Sequence, residues 1–199
     1  MRTVLATIIL LAALTVWTAH TQAAPLPMRP YSGIGILQIT TPSTAIQLYE
    51  EPGLARSEEL LPATIAPLTN WLFGTPATPH LLVTSRRGDW LKIERDDAGR
   101  TAWLLPERGW QFSTWDHYLK GRSVCFLRNA PKTSQNLLPS VTSASGQAIP
   151  PRTLLRIVTV QDDWAYVLIN NSAGGWIRWR DRDGRLLIGI AQTSSAQSR

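Results

Sequence analysis

Cysteine is almost missing: Cys125 is the single one in 199 residues, so no disulfide can form within the chain. Whatever folds here is held by packed cores and not by cross-links. Cys125 sits in the apolar run Val124-Cys125-Phe126-Leu127, the setting of a buried thiol acting as a small hydrophobe. Histidine is scarce too. Beyond the first segment only His80 and His117 remain, each without a second histidine or cysteine at a ligand spacing, so no metal site is expected. The adjacent acids Glu50/Glu51, Glu58/Glu59 and Asp96/Asp97 fall in turn-rich stretches and read as solvated surface. Gly33 and Gly35 look like half of a dinucleotide fingerprint, but no third glycine or helix follows, and no cofactor is expected. With so few nucleophiles, bases and ligand clusters, the chain reads as a binding protein and not an enzyme.

Long hydrophobic runs are missing as well, apart from one at the start. Met1-Arg2 gives a short positive beginning, residues 4–17 are nearly all apolar, and small residues follow at Thr21-Gln22-Ala23. That order describes a secretory signal peptide over residues 1–23, with Ala24 as the first residue of the mature chain. The run falls short of the ~18–20 residues that span a bilayer, so no membrane span is expected after cleavage. No cysteine follows it, which argues against a lipid anchor. The chain is therefore expected to be exported, to a periplasm or to the cell surface and beyond. Its formal charge of +6 and pI near 10.1 would suggest nucleic acid in a cytoplasm. Export removes nucleic acid from the expected partners. Acidic proteins, anionic envelope polymers, a phospholipid surface, or plain solubility then account for the charge.

Tryptophan, by contrast, is abundant, with nine copies. Four of them mark an internal repeat. The first half runs Leu48-Tyr49-Glu50-Glu51-Pro52, then Leu60-Leu61-Pro62, then Gly88-Asp89-Trp90-Leu91-Lys92-Ile93, then Thr101-Ala102-Trp103-Leu104. The second half answers with Leu127-Arg128-Asn129-Ala130-Pro131, Leu137-Leu138-Pro139, Asp162-Asp163-Trp164-Ala165-Tyr166-Val167 and Gly174-Gly175-Trp176-Ile177. The run from Trp90 to Arg95 alternates apolar and charged residues, the period of a half-buried strand. Asp96, Asp97 and Gly99 punctuate it as a turn. Short strands with a turn after each predict an all-β chain made of small barrels or sandwiches.

These motifs resemble the bacterial SH3-like (SH3b) family. There a tryptophan opens a central strand after a tight turn, and a second lies in the short strand that closes the barrel. Trp90 and Trp103 match those places in the first half, Trp164 and Trp176 in the second. The Leu-x-x-x-Pro stretches at Leu48 and Leu127 resemble the family's opening. The resemblance implies two tandem SH3-like barrels, at residues 33–108 and 122–192, with all four tryptophans structural. Residues 53–79 and 132–152 are long for loops, so each is expected to carry a helical turn or a strand.

Between the repeats, residues 109–121 form an aromatic junction with Trp110, Phe112, Trp115 and Tyr118. Thr114 can cap a short helix over residues 115–120, and Gly121 suits its end. Two readings stay open for these aromatics: a wedge packed between the barrels, or a groove for an extended ligand. After Trp176, Asp183-Gly184 predicts a type I′ hairpin. Arg178, Arg180, Arg182 and Arg185 would gather on its exposed ribbon beside Trp179. Residues 24–32 form a proline-rich lead-in, residues 33–39 a strand-like run beside the first barrel, and residues 193–199 a polar tail expected to be disordered. The ligand-binding candidates are thus Trp110, Trp115, Tyr118, Arg178, Trp179, Arg180 and Arg185. The expected function is an envelope adaptor for a protein or peptide. The alternatives are a module that targets peptidoglycan and a cell-wall hydrolase with an unrecognised site.

Overall fold

The computed structural model describes residues 29–40, 45–60, 72, 78–96, 99–170 and 172–191. The expected signal peptide and C-terminal tail lie outside the described residues, as does most of the apolar stretch after Leu60. Among the described residues no helix is long and apolar enough to cross a membrane.

Among the described residues the chain is mostly β, with every ladder antiparallel. The first half contributes β1 (Gly35–Gln38), β2 (Ile46–Glu51), β3 (Leu54–Leu60), β4 (His80–Arg87), β5 (Trp90–Glu94), β6 (Thr101–Leu104) and β7 (Gln111–Thr114). The helix α1 (Trp115–Leu119) leads into the second half. This holds β8 (Ser123–Phe126), a 3-10 turn (Lys132–Ser134), β9 (Asn136–Leu137), β10 (Gln147–Ala148), β11 (Leu155–Gln161), β12 (Trp164–Ile169), β13 (Ala173–Arg178) and β14 (Ile188–Ile190). Both long stretches that looked improbable as loops therefore carry strands.

The seven-stranded sheet of the first half runs β7-β1-β4-β5-β6-β2-β3. The five-stranded sheet of the second half runs β14-β8-β11-β12-β13, and the pair β9-β10 continues it through a bridge between Leu138 and Trp176. Subtracting seven from each label of the second half reproduces the order of the first. The Leu138–Trp176 bridge takes the place of the Tyr49–Trp103 pairing that joins β2 to β6. The hydrogen-bonded order of the described strands does not close into a ring in either half.

This correspondence corrects the repeat register. The tryptophan anchors match, since Trp90 and Trp164 open β5 and β12 while Trp103 and Trp176 sit in β6 and β13. The opening anchors do not. Leu48 lies in β2, the counterpart of β9, whereas Leu127 follows β8, the counterpart of β1. The first strand of the first half is thus the Gly35–Gln38 segment, within the run that the sequence read as a strand pairing with the first barrel. Its last strand, Gln111–Thr114, comes from residues assigned to the junction, so the first half extends past residue 108.

β1 and β4 escape a simple alternation because both of their faces are buried. Leu37, Leu81 and Val83 point into the first core with Leu48, Leu91, Ile93 and Leu104. Ile36 and Leu82 point the other way, into a core that also contains Trp115, Tyr118, Leu119, Val124, Leu155, Val167, Ile177 and Trp179. The two strands are a wall shared by both halves. α1 seals that wall. Thr114 stands at its start but does not cap it with its side chain, and its hydroxyl meets His117 Nδ1 at 3.1 Å.

A strap formed by residues 29–32 ties the halves together again. Arg29 pairs with Asp181 at 2.8 Å, Leu186 N–H donates to the Pro30 carbonyl at 3.0 Å, and Ser32 N–H donates to the Gly184 carbonyl at 2.8 Å. Tyr31 bridges to Arg185 across the same seam. The hairpin at Asp183-Gly184 is present but not of type I′. Gly184 takes a φ of +77° while Asp183 does not turn positive, and Gly184 N–H donates to the Asp181 carbonyl. A single left-handed glycine closes this turn, where type I′ needs two positive φ values.

Candidate ligand groove

The junction aromatics face inward. Trp115 is 7 % exposed, donates its indole N–H to the Ser32 carbonyl at 2.7 Å and packs against Trp179 at 5.4 Å between ring centroids. Tyr118 is buried beside it with Arg122 stacked on its ring at 4.2 Å. Burial pushes its phenol up to about 12, with Arg122 opposing that rise. Trp110 is buried in the first core and shows only a small part of itself to a cavity of about 440 Å³ beside Arg86, Asp89 and Phe112. Trp115 and Tyr118 therefore form the packed wedge, and of the three only Trp110 reaches the wall of an open cleft.

The arginine ribbon also needs correcting. Trp179 is only 2 % exposed and belongs to the second core, its indole N–H donating to the Asp162 carbonyl at 2.8 Å. Arg180 stacks on Trp179 and pairs with Asp163 at 2.6 Å. Arg185 donates to the Arg29 carbonyl at 2.7 Å and covers the Tyr31 ring. Both are structural ties, because each ends in a fixed acceptor. Arg178 alone remains, with the exposed Arg182 further along the chain.

Arg178 opens on a cleft at the surface of the second half. It lies directly opposite Trp164 across the β12–β13 ladder, with its guanidinium 4.6 Å from the indole centroid. This cross-strand pair lines a groove of about 440 Å³. The opposite wall is the segment from Thr133 to Gly146, with Asn136 and Leu138, and the hairpin residues 181–183 form one end. Gly175 explains why the wall can press so close to the sheet. A Cβ there would stand 2.6 Å from Leu137 and 2.9 Å from the Leu138 carbonyl. Trp164 is half-buried and forms part of this groove, so it is not only the structural anchor that its place in the repeat suggested. Trp90, its counterpart, instead packs edge-on against Tyr49 at 5.0 Å. Trp103 is buried, and Trp176 rests half-buried on Tyr166 at 5.5 Å.

The groove's acidic end is already engaged. Asp181 accepts from the backbone N–H groups of Asp183 at 3.0 Å and Arg185 at 2.9 Å besides pairing with Arg29. Burial alone would raise its carboxyl. These bonds outweigh burial and hold it below the ordinary 3.8. Such a carboxylate is a tie and a poor proton acceptor. His80 lies elsewhere, buried on the shared wall between Gln38 and Thr78 at 2.9 and 2.8 Å. Cys125 is half-buried, and burial pushes its thiol up. Among the described residues no three His, Cys, Asp or Glu side chains are gathered to hold a metal ion. Of the groove residues, sequence reasoning named Arg178 as a ligand candidate, took Trp164 as structural, and missed the Thr133–Gly146 wall. The small polar residues there, Ser140 to Gly146, carry no hydrophobic period to betray it.

No family model matches the chain, and no curated protein does. Among solved structures, NlpC2 from Trichomonas vaginalis aligns over 78 % of this chain and 48 % of its own at 12 % identity, with a TM-score of 0.32.

Proposed function

We propose that the protein is an exported, non-enzymatic binding protein of the cell envelope that receives a short peptide segment in the groove between Trp164, Arg178 and the Thr133–Gly146 wall. The observation that carries this reading is the groove itself: an aromatic side chain, a stacked arginine and small polar residues line one open cleft. Such a mixture suits an extended, partly polar chain, with the aromatic face supplying contact area and the polar groups direction. The ties on Asp181 support binding over chemistry, since they leave that carboxylate a poor proton acceptor.

Within this proposal each half is an SH3-like barrel. Support comes from the shared strand order, in which the last strand of each half lies beside the first, and from the bridge at Trp103 or Trp176 that draws the second strand over to the far edge. That arrangement leaves a small sheet few free edges. The signal-like N-terminus supports export. Fractionation of cells making the full chain checks that part, and material found only in the cytoplasm would refute it. Affinity capture of a random peptide library on the purified protein tests the groove. Enrichment that disappears in a Trp164→Ala variant is the expected result, and a library with no enriched peptides overturns the reading. Cosedimentation with purified sacculi, retained when peptides fail, would instead favour a wall-targeting module.

A further inference from the structure

We propose that the groove holds its ligand by a free carboxylate, seated on the Arg178 guanidinium, an inference that rests on the peptide reading above. Four arginines crowd the segment from Arg178 to Arg185, and the structure gives them different fates. Arg180 is spent on Asp163, and Arg185 on the Arg29 carbonyl and the Tyr31 hydroxyl. Arg182 is exposed at the rim. Arg178 is half-buried in the cleft and forms no ion pair among the described residues. Its partner is the Trp164 ring, which engages the flat face of the guanidinium and leaves its N–H edge for another acceptor.

An arginine held this way is oriented before any ligand arrives. A planar fork of donors matches a carboxylate by two parallel hydrogen bonds, which a lysine cannot reproduce. Of the two carboxylates that line the groove, Asp181 already accepts from two backbone N–H groups and Arg29, and Asp183 forms no ion pair with Arg178. Arg178 thus stands in the groove without an ion-pair partner among the described residues. The wall across from it offers Ser134 and Ser145, whose hydroxyls form no hydrogen bond among the described residues. Asp183 at the hairpin end stands ready for the positive end of the same ligand. The first half supplies an internal control. There Leu105 occupies the position that corresponds to Arg178, exposed and uncharged.

The test compares two mixtures of random tetrapeptides, one with free C-terminal carboxylates and one amidated, titrated into the purified chain. Binding is read by nuclear magnetic resonance at the Trp164 indole N–H and the Arg178 Nε–H. The acid mixture is expected to shift both signals and to bind about tenfold more tightly than the amide mixture, the worth of a charge-assisted bond. Arg178→Gln should remove that preference, while Arg178→Lys should restore only part of it. Equal binding of acids and amides at Trp164 would sink the carboxylate and leave the peptide reading standing. No shift with either mixture would sink both. An acid preference that survived Arg178→Gln would also overturn the proposal, with thermal unfolding used to confirm that the variant is folded.

Discussion

The two halves share one strand order yet treat the space beside their first tryptophan in opposite ways. In the first half the hairpin of β2 and β3 is long, and Tyr49 packs edge-on against Trp90. In the second half the matching pair, β9 and β10, is two residues long on each side, and the segment between them stands off as a wall. Trp164 is left facing a cleft. Charge follows the same division. Residues 33–114 hold nine acidic and seven basic residues, residues 115–191 five acidic and ten basic. Duplicated topology therefore fixes where the tryptophans stand, and the length of one hairpin decides whether they are filled in or left to bind.

The largest effect is expected where the halves meet. Trp179→Ala should lower stability by about 3–5 kcal/mol, because it empties a fully packed aromatic site in the shared core. Urea unfolding should show both halves melting together. Two separate transitions would mean that the wall of β1 and β4 does not couple them.

Gly175 tests the comparison directly, since Ala102 holds the equivalent place in β6. Gly175→Ala should cost about 1–3 kcal/mol by overpacking against Leu137. The reverse change, Ala102→Gly, should cost about 1 kcal/mol at most from added backbone freedom. Similar losses in melting temperature would say that β9 is not pressed onto the sheet as described.

Trp164→Ala should be milder in stability, about 1 kcal/mol, the scale of a half-exposed cross-strand and cation–π pair. The sequence alone suggested the ~3–5 kcal/mol of a buried tryptophan. A large drop in melting temperature with no change in peptide capture would return Trp164 to a purely structural role.

The smallest effect concerns acid. Burial holds His80 below its ordinary 6.5, with Arg122 adding to the fall and the hydrogen bond to Thr78 opposing it. The unfolded chain then takes up this proton at a higher pH than the folded one. Stability is full above pH 6.5 and should decline as pH falls below it toward the folded value. Asp181, held below 3.8, adds a separate loss only under stronger acid. His80→Gln should flatten the first slope and leave the second. Urea midpoints measured across pH would show whether it does.

Legibility in the sequence followed the physics of each segment. β5 and β12 were readable because Trp90 to Glu94 and Trp164 to Ile169 bury one face, which stamps a period of two on the chain. The glycine turn at Gly184 was readable for its backbone freedom, although its type was not. β1 was readable as a strand from the run at residues 33–39, but not as a wall between two cores, because Ile36 and Leu37 are buried on opposite sides and the second core comes from residues far along the chain. Trp179 misled for a related reason. Flanked by Arg178 and Arg180, it looked like part of a charged ribbon, and only the partner surface of Trp115 makes it core. The groove depends on how far one wall stands from another, and no local pattern encodes that distance.

The strap has a consequence for how the chain is made. Arg29 meets Asp181 and Leu186, so contacts that complete the fold span almost the whole described sequence. Loops of that length close late, and a protein rich in such contacts folds slowly. A chain synthesised from its N-terminus must keep its first strands waiting for its last. Ile36 and Leu82 stay exposed until the second half arrives to cover them. The seam that joins the two ends thus acts as a clock as well as a clasp. A truncation before Asp181 should leave a product that aggregates on release, which light scattering during refolding would register.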